Sequence, residues 1–182
     1  MIMKTYTLNV AGLTRELPLC KASDELDIAA FIMFSDVEVT VAAAKALLEK
    51  VPDFDIILTA ETKGIPLGYE AARQSGKNYI VARKSVKVYM TDPISVNVKS
   101  ITTEGVQTLY LSKEDASELN GRKVLILDDV ISTGESLIAL EKLVEAAGGV
   151  ISGKAAVLAE GKAADRDDIV FLQKLPVFPR EK

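Results

Sequence analysis

Apolar positions along this chain follow two rhythms. Phe54–Leu58 (FDIIL), Tyr79–Ala82, Val124–Leu127 and Val150–Ala159 are continuous apolar runs of strand character, each closed by polar or turn residues. Between them the spacing becomes helical. Ser35-Asp36 can cap a helix with Val37, Val41, Ala44, Leu47 and Leu48 on one face, ended by Pro52-Asp53. Pro66 suits the first turn of a second helix that runs to Gln74 and closes at Ser75-Gly76. Leu137, Leu140, Leu143 and Val144 mark a third, up to Gly148-Gly149. Strand–helix alternation predicts an α/β fold, a mostly parallel twisted sheet flanked by helices, in a single domain over residues 1–182. Residues 4–19, broken at Gly12 and Pro18, predict a hairpin or two edge strands. Residues 85–111 are β-branched and partly alternating, with breaks at Pro93 and Gly105, and predict a protruding hairpin or flexible arm. Ser112–Asn120 is a short helical or turn segment, and Ile169–Leu172 a candidate last strand.

Composition narrows the chemistry. The 182 residues are 48% hydrophobic with a net charge of −4, so a basic nucleic-acid groove is not expected. No apolar run is long enough to span a bilayer, and the N-terminal MIMKTYTLNV lacks a secretory core, so no membrane partner is expected. A single cysteine, Cys20, fits a cytoplasmic chain. With no histidine, Ser-His-Asp and Cys-His catalysis are excluded, along with most zinc sites. Oxygen ligands remain, which favour Mg²⁺ or Ca²⁺.

Val124–Ser136, VLILDDVISTGES, is the richest segment. A buried strand runs into two adjacent acids, Asp128 and Asp129, then the turn Ser132-Thr133-Gly134 and a helix start. In an open α/β sheet such a loop lies at the carboxyl end of a strand, where ligands bind. Carboxylates accept hydrogen bonds from sugar hydroxyls, and backbone N–H groups at a helix start suit phosphate. A sugar phosphate fits both. Glu61-Thr62-Lys63-Gly64 forms a second strand-to-helix loop, with a cation at Lys63 and close backbone approach at Gly64. Arg83-Lys84 ends the next strand on the same sheet edge, where two cations can balance an anionic ligand. Two other patterns carry no site. Gly148–Lys154 spells G-x-x-x-x-G-K, but Ala155 stands where a P-loop has Ser or Thr, and a strand follows. The LILDD run resembles a receiver-domain acid pocket, but too little chain follows it.

VLILDDVISTGES closely resembles the phosphoribosyl-pyrophosphate (PRPP) signature of type I phosphoribosyltransferases. TKGIPLGYEAA resembles their pyrophosphate loop, especially in the purine and orotate branches, where a non-proline cis peptide is common. The resemblance spans roughly residues 35–160 and is strongest toward adenine phosphoribosyltransferases. It implies a small N-terminal hood, residues 1–35, and an arm, 85–111, that closes over PRPP. It also implies transfer of ribose 5-phosphate from PRPP to a base nitrogen through an oxocarbenium-like transition state, with release of pyrophosphate. On this basis Asp128 and Asp129 hold the ribose hydroxyls and act as catalytic residues, while Ser132, Thr133, Gly134, Glu135 and Ser136 grip the 5′-phosphate. Glu135 also suits the positive end of the helix as an outward-pointing acid. Glu61, Thr62, Lys63, Gly64, Arg83 and Lys84 face the pyrophosphate. Mg²⁺ is the implied cofactor, carried mainly by PRPP and reaching Asp128 and Asp129 through water. Glu104, in an arm Glu-Gly that lacks the tyrosine found between them in some adenine enzymes, is a further catalytic candidate. Phe34, in FIMFSDVEVT, and Val130, after the acid pair, are candidate base contacts. A homodimer is the implied assembly. TKGIPLGYEAARQSGKNYIVARK and GVQTLYLSKEDA also resemble xanthine phosphoribosyltransferases and the PRPP-sensing domain of a bacterial purine repressor, whose separate DNA-binding module has no counterpart before residue 35. A purine salvage enzyme acting on adenine is therefore the leading reading. The alternatives are an enzyme for xanthine, guanine or orotate, and a PRPP-binding regulator without catalysis.

Overall fold

In the computed structural model, which describes residues 4–99 and 106–180, the first alternating segment is a hairpin. Strands β1 (Thr5–Val10) and β2 (Leu13–Lys21) pair antiparallel about Ala11-Gly12, both at positive φ (50° and 79°). β3 (Leu26–Ala29) adds to β2. Helix α1 (Val37–Leu48) follows, then β4 (Ile56–Ala60), α2 (Ile65–Ser75) and β5 (Asn78–Ala82). A second hairpin joins β6 (Ile94–Lys99) to β7 (Val106–Leu111) and leads through α3 (Lys113–Leu119) to β8 (Lys123–Ile131). After α4 (Glu135–Ala146) come β9 (Val150–Glu160), a 3₁₀ turn at Gly161–Asp165, β10 (Val170–Leu175) and β11 (Val177–Pro179).

The four runs and the candidate last strand, β10, make one five-stranded, wholly parallel sheet in the order β10-β9-β8-β4-β5. Numbered along the chain, these strands run 2-1-3-4-5 across the sheet. The order reverses between β4 and β8, so the ligand crevice of such a sheet falls at their carboxyl ends. β4 is buried along its whole length, as a central strand covered on both faces must be. Its residues alternate between two apolar clusters. Ile56 and Leu58 join α4, α3 and the β6–β7 hairpin on one face, while Ile57 joins α1, α2 and the N-terminal strands on the other.

Three sequence expectations change in detail. The buried face of α1 is Val39, Thr40, Ala43, Ala44 and Leu47, and Val37 and Val41 are exposed. Val39, Leu47 and the small Ala43 and Ala44 make the packed face, and Ala44 and Leu47 are where the spacing placed them. The expected hood, residues 1–35, is a four-stranded sheet β1-β2-β3-β11, whose last strand comes from the C-terminal segment. The expected protruding arm is docked along its described strands. Leu109 and Leu111 are fully buried beside α4, and Arg83 and Tyr110 exchange backbone hydrogen bonds of 2.9 and 2.8 Å with the end of β5. The tip of the hairpin, with Glu104, lies outside the described residues.

Candidate active site

β8 carries the acid pair to the crevice. Asp129 is buried, 3% exposed, and Asp128 is half-buried. Asp128 Oδ1 accepts the Asp129 backbone N–H at 2.9 Å. Desolvation, and then the adjacent Asp129 charge, push the Asp128 carboxyl up to about 8. The Asp129 Oδ2 atom is buried without an aligned hydrogen bond, and Lys63 Nζ lies 3.1 Å from it. A desolvated acid pair with one ion-pair partner, Lys63, among the described residues is a place where ligand hydroxyls or a cation are favoured.

Lys63 comes from the loop between β4 and α2. That loop sits directly on the acid pair because residue 64 is glycine. A Cβ there would stand 2.3 Å from Thr59 Oγ1 and 2.9 Å from Asp128 Oδ1. The Glu61–Thr62 peptide is cis. Glu61, expected beside pyrophosphate, turns its carboxylate to the neighbouring loop. It accepts the Lys84 backbone N–H at 2.9 Å and lies 3.5 Å from both Arg83 Nη1 and Lys87 Nζ. The Lys84 bond and these two cations hold its carboxyl below the usual range. Glu61 therefore organises the cations on this side of the crevice. The Lys84 ammonium has no ion-pair partner among the described residues. Lys87 escaped the sequence reading because it stands three residues past the basic pair, in a stretch read only as arm.

The third loop joins β8 to α4. Gly134 caps the helix at φ 81°, and its carbonyl accepts the Ile138 N–H at 2.9 Å. A polar cavity of about 70 Å³ lies within the loop, lined by Asp128 and by Val130 through Leu137. All five expected phosphate contacts, Ser132, Thr133, Gly134, Glu135 and Ser136, line it. Glu135 sits in the first turn of α4, where the helix dipole favours an acid. The Ser132 hydroxyl accepts the Thr133 N–H at 2.7 Å and lies beside the Glu160 carboxyl, which it draws down. Glu160, at the end of β9, was not singled out from sequence. Its carboxyl is raised by desolvation and drawn back by Lys63 and Ser132. Lys63 thus answers to Asp129, Asp128 and Glu160 together. Arg166 was also missed, and its Nη1 would lie 3.1 Å from a Cβ on Gly134.

The two expected base contacts line different cavities. Val130 lines the cavity of the β8–α4 loop and packs against the core. Phe34, 45% exposed, borders a largely apolar cavity of about 260 Å³ with Met33, Pro66 and Tyr69. Pro66 opens α2 two residues after Gly64, so this cavity adjoins the Lys63 loop in the chain. Among the described residues no cluster of three or more acids, cysteines or histidines could cage a metal. Asp128 and Asp129 offer a pair of oxygen donors only, which suits a cation that brings further ligands with it.

Fold and site together are those of an α/β protein whose strand-end loops converge on a buried acid pair where the strand order reverses. Comparison with known proteins places it more narrowly. The profile of the phosphoribosyl transferase domain matches residues 37–178, and the chain belongs to that family. It is 37% identical over 127 residues to the adenine phosphoribosyltransferase of Rhodococcus jostii, covering 69% of each chain. It is 32% identical over 113 residues to the purine biosynthesis transcriptional repressor of Bacillus subtilis, covering 62% of this chain and 39% of the repressor. The crystal structure of adenine phosphoribosyltransferase from Thermoanaerobacter pseudethanolicus superposes with a TM-score of 0.66 at 24% identity, over 78% of this chain and 84% of that one.

Proposed function

We propose that this chain is a purine salvage phosphoribosyltransferase that joins adenine to the ribose 5-phosphate of PRPP and releases pyrophosphate. One observation carries the reading: three strand-end loops, from β4, β5 and β8, meet where the sheet order reverses, and bring cations beside a buried acid pair. The similarity to the adenine enzyme of Rhodococcus jostii supports adenine as the base.

In this mechanism the bond from the anomeric carbon to pyrophosphate breaks as the base nitrogen attacks that carbon. Asp128 and Asp129 hold the ribose hydroxyls and favour positive charge on the sugar. Ser132 through Ser136 grip the 5′-phosphate with loop N–H groups and hydroxyls. Lys63, Arg83, Lys84 and Lys87 offset the charge of the departing pyrophosphate. Glu61 sets the positions of Arg83, Lys84 and Lys87, and Gly64 lets the loop that carries Lys63 lie against the acid pair. Mg²⁺, brought by PRPP and reached by Asp128 and Asp129, would add charge neutralisation to that set. The base enters beside Phe34, and Glu104 is the candidate to take its proton. Alignment of the reactants and preset charge supply most of the acceleration. The protein acts in the cytoplasm as a homodimer. No helix among the described residues is long and apolar enough to cross a membrane.

The test is turnover: purified protein with Mg-PRPP and each of adenine, hypoxanthine, guanine, xanthine and orotate, following pyrophosphate. Release with adenine is expected, and Asp129→Asn should lower it by more than about tenfold, as loss of a charged contact in the transition state does. Release with another base only would overturn the adenine assignment. PRPP binding with no turnover on any base would favour a regulator, a reading supported by the similarity to the Bacillus subtilis repressor. Sedimentation as a monomer under assay conditions would contradict the homodimer.

A further inference from the structure

Phe34 stands at the tip of a turn that contacts from distant residues hold in place. The Met33 carbonyl accepts the Asp36 N–H at 3.1 Å, which closes a four-residue turn over Phe34-Ser35. Ser35 has φ 66°, a conformation that third turn positions usually reserve for glycine or asparagine. Met33 anchors the near side, 1% exposed. Asp36 anchors the far side, where its Oδ1 accepts the Val39 N–H at 3.1 Å and caps α1.

The same carboxylate is forked by Arg15 of β2, twenty-one residues earlier. Arg15 Nε donates to Asp36 Oδ2 at 2.7 Å, and Nη2 donates to Asp36 Oδ1 at 3.0 Å and to Glu38 Oε2 at 2.7 Å. Arg15 Nη1 donates to the Thr14 carbonyl at 2.9 Å. A planar guanidinium held by both of its edges fixes the carboxylate in direction as well as distance. It joins the N-terminal sheet to the turn that presents Phe34 to the cavity.

We propose that Arg15 is a positioning residue for base recognition: its fork on Asp36 holds the Phe34-Ser35 turn in the conformation that receives the base. The proposal rests on the catalytic reading above. Arg15 touches neither sugar nor phosphate loops, so its loss acts on the base side of the site and leaves the PRPP side in place.

The experiment compares wild type with Arg15→Met, Arg15→Lys and Asp36→Asn, measuring KM for the base and for Mg-PRPP separately, with thermal melts. Asn remains a good helix cap, so Asp36→Asn removes the charged fork and keeps the start of α1. Base KM should rise about tenfold in Arg15→Met and Asp36→Asn, less in Arg15→Lys, against a change under about threefold in PRPP KM. Should Arg15→Met fail to fold, Asp36→Asn decides. An unmoved base KM in Asp36→Asn, or base and PRPP KM rising together, would overturn the latch alone. A wild type inactive on every purine would overturn the catalytic reading and the latch with it.

Discussion

Asp128 shows how one residue answers to two demands. A ribose ligand wants an ionised carboxylate, yet desolvation and Asp129 push its carboxyl to about 8 from an ordinary 3.8. The folded chain therefore binds this proton more tightly than the unfolded chain does. The stability gained is fully present below the ordinary value and is lost as pH rises through the folded one. Without ligand, melting temperature should fall between about pH 4 and pH 8 by an amount that Asp128→Asn removes, because asparagine resembles the protonated acid. Equal pH slopes for the two proteins in a melting series would count against the shift. Gly64 gives a second residue-scale prediction. Its added Cβ would press on Thr59 and Asp128, so Gly64→Ala should lower stability by about 1–3 kcal/mol, as overpacking does. A melt unchanged from wild type would mean that the loop shifts freely. The acid pair and the glycine loops were legible in sequence because each is a local string with its own turn chemistry. Glu160 was not, because its partners Ser132 and Lys63 come from two other loops, and only the parallel sheet brings the three together.

At the scale of elements, the positions of the central strands were easier to read than helix faces or the order of strands across the sheet. The apolar stretches Ile56–Leu58 of β4 and Val124–Leu127 of β8 read as strands covered on both faces. For α1, the expected face holds at Ala44 and Leu47, but the packed face adds Val39, Thr40 and Ala43 and leaves Val37 and Val41 exposed, because alanine carries little hydrophobic signal of its own. β11 has three residues, and its pairing with β3 is a contact across nearly the whole chain that no local pattern announces. The loops after β4 and β5 act as one unit through Glu61, which ties Lys84 N–H, Arg83 and Lys87 to a single carboxylate. Glu61→Gln keeps the shape but weakens all three contacts. Pyrophosphate inhibition should weaken severalfold in that variant, since cations left unplaced lose aim at the departing group. Inhibition equal to wild type would show that Arg83 and Lys87 keep their places unaided.

Across the whole molecule, α4 is the shared wall. Its N-terminus borders the loop proposed to grip the 5′-phosphate, and its buried residues pack between the sheet and the β6–β7 hairpin, with Leu137, Leu140 and Val144 in the same cluster as Val98, Leu109 and Leu111. An anion held at Gly134 and Ser136 therefore stabilises a helix whose other side supports the hairpin. A ligand that binds only the folded state protects the elements that must stay folded to hold it. Mg-PRPP should slow hydrogen exchange in three places: the amides of residues 132–137, the body of α4, and the hairpin strands flanking residues 100–105. Asp129→Asn, with its ribose contact weakened, should need more PRPP for the same protection. The hairpin strands decide between two pictures. If they slow together with α4, the hairpin belongs to the binding unit, as closure over PRPP requires. If protection stops at the phosphate loop, α4 is a rigid post, and the hairpin packs on it without sensing the ligand.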